Sequence, residues 1–133
     1  MLMIIFFALI AGLVVVVAVD ASAVFLARRS LSSAVDGAAL AAAQSVSDAD
    51  FYTAGAPLDA LPLGDVQRVV DDYAARYRAS ADDPTVEMDA VVVNGGFAVR
   101  VVARRQVSLP LARAFGFDRV TVEADATARS PLR

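Results

Sequence analysis

MLMIIFFALIAGLVVVVAVDASAVFLARR, residues 1–29, decides how the rest of the chain is read. Between Leu2 and Ala27 the only charge is Asp20, and Arg28-Arg29 closes the stretch. The uncharged portion through Val19 approaches the roughly 20 residues that cross about 30 Å of hydrocarbon. Ala21-Ser22-Ala23 has the small-x-small form of a signal cleavage site. Yet no Arg or Lys precedes the apolar run, which is about twice as long as the core of a signal peptide. Residues 1–27 are therefore expected to stay as a single membrane anchor in contact with lipid. Charge counting at Arg28-Arg29 places the following residues on the cytoplasmic side.

The helical pattern runs on past the arginines. SLSSAVDGAALAAAQSVS, residues 30–47, is dense in Ala, the best helix former, with Gly37 its one weak point. Leu31, Ala34, Val35, Ala38, Ala41 and Ala42 recur at spacings of three and four, a narrow stripe of small apolar side chains. Ser33, Asp36 and Gln44 lie opposite. One helix from about Leu2 to Val46 would be about 67 Å long, and only about half of it fits in a bilayer. The soluble half, residues 28–47, suits packing on a neighbouring helix or on the chain's own domain. Ala34, Asp36, Ala38, Ala41 and Ala42 are thus candidate helix-packing or assembly positions. Asp20 is a further candidate. It is either a polar contact with another subunit or a solvated group near the membrane surface.

Residues 48–133 are expected to form a small α+β domain, and the chain beyond the anchor, about 106 residues, is near the usual domain size. Asp48 to Leu63, with Gly55, Pro57 and Pro62, shows no sustained period and reads as a loop. A helix follows at 64–80, with Val66, Val69, Val70, Tyr73 and Tyr77 on one face, and Asp82-Asp83-Pro84 ends it because Pro84 disfavours helix in the residue before it. Strands 85–93 and 97–107 alternate apolar and polar residues around Asn94-Gly95-Gly96, a strong hairpin signal. Acids on the polar face of the first strand are placed to pair with arginines on the second. Pro110 to Phe117 reads as a helical turn with Pro110 at its first position and Gly116 at its end. Strand 119–128 completes a three-stranded antiparallel sheet with one wet face and one face that helices must cover.

Composition narrows the chemistry. The 133 residues hold no Cys and no His, which excludes disulfides and thiolate catalysis and removes the commonest metal ligand and general base. All 12 basic residues are Arg, set against 15 acids for a net charge of -3. They are scattered, so no nucleic-acid surface is indicated. The serines lack a His to activate them, and Asp71-Asp72 and Asp82-Asp83 read as solvated acids rather than an organised cation loop. Gly95-Gly96 lacks the Lys and glycine spacing of a phosphate loop. No catalytic residue, cofactor, metal or small-molecule substrate is expected.

The order of parts, an apolar anchor containing an Asp and then FLARRSLSSAVDGAALAAAQ, resembles the N-terminal region of TadE/TadG-like proteins of the Flp (tight adherence) pilus assembly system. The family's Ala-Asp-Ala-Ala-Ala-Leu-Ala-Ala-Ala run corresponds here to Ala34-Val35-Asp36-Gly37-Ala38-Ala39-Leu40-Ala41-Ala42-Ala43, with Gly37 where Ala is usual. Leu111 to Phe117 followed by Val120 to Ala128 is similar to the closing segment of small members. The resemblance implies a bacterial cytoplasmic-membrane protein, single-pass, with an extracytoplasmic domain. It would act as a minor pilin or pseudopilin-like part of an envelope assembly, with other pilin-like or Tad subunits as partners through the N-terminal helix. That orientation opposes charge counting, and dedicated machinery can override a two-residue bias. No leader ending in Gly with an acid soon after it is visible, so processing by a prepilin peptidase is not expected unless the start lies upstream. A helix half in the membrane and half on a small sheet is itself a pilin-like layout. The alternative is an anchored extracytoplasmic binding module, which would keep its partner after removal of everything before Arg29.

Overall fold

The computed structural model describes residues 1–52, 63–93 and 98–129. Helix α1 runs without interruption from Leu2 to Tyr52, 51 residues, or about 76 Å at 1.5 Å per residue. It takes in residues 48–52 of the loop expected from Asp48 to Leu63, whose last residue opens the next helix; residues 53–62 lie outside the described residues. Helix α2 is Leu63–Ala81, followed by strands β1 (Glu87–Val93), β2 (Ala98–Ser108) and β3 (Arg119–Arg129). Strand β1 begins two residues later than its alternation promised. The turn at 94–97 is also outside the described residues, but Val93 pairs with Ala98 across it.

The sheet is antiparallel in the order β1-β2-β3. One face carries Met88, Val99, Val101, Ala103, Val107 and Val122, all buried, and both helices cover it. Leu31, Val35, Ala38 and Ala42 of α1 and Val66, Val70 and Ala74 of α2 complete one core. Small side chains on α1 let its backbone lie close to the strands, which is what the Ala-rich stripe is for in this fold.

The arginines of β2 do not pair with β1. Arg104 stands opposite both Glu87 and Glu123, and its guanidinium bonds Glu123 of β3 at 2.9 Å. Arg100 reaches diagonally to Asp125, also at 2.9 Å. Both pairs are more than half exposed and contribute fractions of a kcal/mol each.

Helix α2 ends by a different device from the one expected. Asp82 takes φ +49°, and the Asp83 N–H donates to the Arg78 carbonyl at 3.2 Å, the six-to-one bond of a Schellman motif. The turn is locked from its side chains as well. The Asp83 carboxylate accepts the Thr85 N–H and hydroxyl at 2.9 and 2.6 Å and pairs with Arg105 of β2 at 2.7 Å, with only 12% and 19% of the two side chains exposed. Asp83 is thus a bridge from helix to sheet, not a solvated acid.

Tyr73 and Tyr77 of α2 meet α1. The Tyr77 hydroxyl is 2.7 Å from Ser30 Oγ, and Tyr73 lies over Gly37, where an added Cβ would overlap the phenol oxygen. The weak point of the Ala-rich helix is the notch that admits α2.

Candidate assembly surface

Helix α1 changes character along its length. From Leu2 to Val19 nearly every side chain is exposed; Val16 alone is partly covered. At 1.5 Å per residue this portion spans about 27 Å, close to the hydrocarbon thickness of a bilayer. It is long and apolar enough to cross a membrane, and none of it is buried against the rest of the chain. From Ala21 to Ser45 only one face stays open. Arg29, Ser33, Asp36, Leu40 and Gln44 form an exposed row at spacings of three and four, with Leu40 55% exposed.

The predicted packing residues divide between the two faces. Ala34, Ala38 and Ala42 are buried in the chain's own core, Ala41 is partly buried, and Asp36 is exposed. The first three are occupied by the chain's own core of α2 and sheet residues, so an outside helix can meet only the Asp36–Leu40 side.

Asp20 is neither solvated nor free. It is 7% exposed, and its two carboxylate oxygens accept the N–H groups of Leu111 at 3.1 Å and Ala112 at 2.7 Å. These N–H groups open a short 3-10 helix, Ala112–Phe115, whose N-cap Leu111 offers no side-chain acceptor. Pro110 lies ahead of that helix rather than at its first position. Gly116 ends it at φ +87°, a conformation that favours glycine, donating its N–H to the Arg113 carbonyl. Leu109 N–H to the Asp118 carbonyl, 3.1 Å, closes the loop at its base.

Sequence reasoning missed this tie because capping groups are usually local, whereas Asp20 and Leu111 are 91 positions apart. The only trace in the sequence is negative: SLPL, residues 108–111, places no Ser, Thr, Asp or Asn directly before the turn.

The tie leaves an apolar groove of about 540 Å³ between α1 and the base of the sheet, lined among others by Val16, Val17, Val24, Leu109 and Val120. Its lower wall is the upper part of the membrane-length segment.

Neither curated proteins nor solved structures contain a match to this chain. Residues 1–45 match the Tad family model, described as "Putative Flp pilus-assembly TadE/G-like". The family likeness of this chain therefore lies in the anchor and the Ala-rich continuation of α1, ahead of the sheet.

Proposed function

We propose that this chain is a membrane-anchored structural or assembly subunit, minor pilin or pseudopilin-like, of a Flp/Tad-type pilus or related envelope machine. The match of residues 1–45 to the pilus-assembly family carries the reading. Its physical counterpart is a helix whose first part is bare on all sides and whose second part is bare on one. Bare apolar helix surface is satisfied by lipid or by like helices, so the same segment serves as an anchor and as a bundling element. The partners are other pilin-like or Tad subunits. They meet Leu2–Val19 first and then the Asp36–Leu40 row. The domain lies on the extracytoplasmic side, as the family role requires. Its chemistry is packing, with no catalytic step.

Because the chain has no Cys, single substitutions at Leu9, Leu13 and Val17 give clean crosslinking sites in cells. Specific adducts recurring at every third or fourth position, together with loss of pili or secretion on deletion, are the expected result. Random adducts with an unchanged phenotype would sink the proposal.

A further inference from the structure

We infer that the turn between β2 and β3, residues 109–118, is a second membrane contact that rests its apolar side chains in the lipid interface beside the anchor. Three independent observations place it there. The turn is fastened to Asp20 by two hydrogen bonds, and Asp20 is the first residue beyond the membrane-length segment, so the turn stands at the level where hydrocarbon gives way to headgroups. The groove beneath it reaches down to Val16 and Val17, one helical turn farther into that segment, so the base of the sheet overlaps the bilayer edge. The turn also exposes large apolar side chains, Phe115 65%, Phe117 68% and Leu111 37%, and Val120 at the adjoining start of β3 is 40% exposed.

Two bare phenylalanines within three residues are unfavourable in water and favourable at the membrane surface. Burying such a ring removes apolar area from water. Arg113, 80% exposed and only loosely paired with Asp118 at 3.7 Å, has a stem that can lie along acyl chains while its head meets lipid phosphate. Arg28, also lining the groove, adds a second cation about 12 Å farther along α1 from Asp20. The partner is therefore a lipid surface. A second copy of the chain would meet the turn only by displacing lipid from it.

The inference rests on the membrane span, and one experiment separates the two. The chain has no Trp, so Leu9→Trp, Phe115→Trp, Phe117→Trp and Val91→Trp each report a single site by fluorescence. The full chain is reconstituted in vesicles of phosphatidylcholine and phosphatidylglycerol in equal parts. Quenchers are lipids brominated near the headgroup end or near the chain terminus, and aqueous iodide. Val91, exposed at the opposite end of the sheet, is the control.

Expected is strong quenching of Leu9→Trp by deep bromine. Phe115→Trp and Phe117→Trp should be quenched by shallow bromine, with iodide quenching severalfold weaker than for Val91→Trp. If Leu9→Trp responds to bromine but both turn variants match Val91→Trp, the inference is overturned and the anchor stands. Turn variants shielded from iodide yet untouched by bromine would mean a protein cover, which also overturns it. A silent Leu9→Trp would overturn both. Since Phe115 and Phe117 are outside the core, the substitutions leave the fold intact. A nitroxide on Leu111→Cys gives depth independently through oxygen against nickel accessibility, and equal accessibility to that of a nitroxide on Val91→Cys would overturn the inference.

Discussion

Gly37 exchanges helix stability for a contact. Ala there would gain about 1 kcal/mol of helix propensity, but its Cβ would overlap the Tyr73 hydroxyl oxygen, and overpacking costs about 1–3 kcal/mol. Gly37→Ala should therefore lower the urea midpoint of the chain in detergent, and adding Tyr73→Phe should restore part of the loss, a coupling that a double-mutant cycle reads directly. Asp82 is the converse case: a non-glycine residue at φ +49°. Asp82→Gly is expected to stabilise by about 0.5–1 kcal/mol, relief of left-handed strain outweighing the entropy glycine adds to the unfolded chain. At Asp20, Asn keeps one acceptor for two N–H groups and Leu keeps none. Hydrogen exchange at Leu111 and Ala112 should rise modestly in Asp20→Asn and strongly in Asp20→Leu, although Leu inserts into a bilayer more readily. Equal exchange in all three forms would show that the carboxylate does not hold the turn.

Elements differ in how they are joined, and one joint is sensitive to acid. Burial pushes the Asp83 carboxyl up, but the Thr85 hydroxyl and N–H and the Arg105 guanidinium outweigh it and hold the group below the usual carboxylate range. A carboxyl lowered in the folded state stabilises fully above its unfolded value of about 3.9 and loses that contribution as pH falls toward the folded value. Asp83→Asn should thus melt lower than the parent at pH 7, and the gap should close as pH drops below about 4. A constant gap would mean the carboxylate charge is irrelevant. The elements themselves were legible in the sequence, because period and composition are local: α2, the three strands and the buried stripe of α1 fall within a few residues of their predicted places. What joins them was not. Arg100 and Arg104 face acids on two possible neighbours, and alternation cannot say which wins. The notch at Gly37 depends on a tyrosine 36 positions away, and the Asp20 tie on a backbone with no side-chain signature. The end of α1 was placed too early because Ser45, Ser47 and Asp48 weaken a helical pattern without breaking it.

For the whole molecule the decisive question is which side of the membrane carries the sheet. An export-dependent reporter fused after Arg133 is expected to be active, and activity of a cytoplasm-only reporter there would overturn both the orientation and the pilus role. Within α1 there is no joint between the bare portion and the covered one: Val19, Asp20 and Ala21 are ordinary helix, and the sheet is already fastened at Asp20. The anchor and domain therefore turn as a lever about the bilayer edge. The arm from Asp20 to Tyr52 is about 48 Å, so a tilt of about 20°, usual for a membrane helix, carries its far end sideways by about 16 Å. Bilayer thickness, which sets that tilt, becomes an input to where the domain points. With the phenylalanine turn standing on one flank, the arm has a preferred compass direction in which to lean.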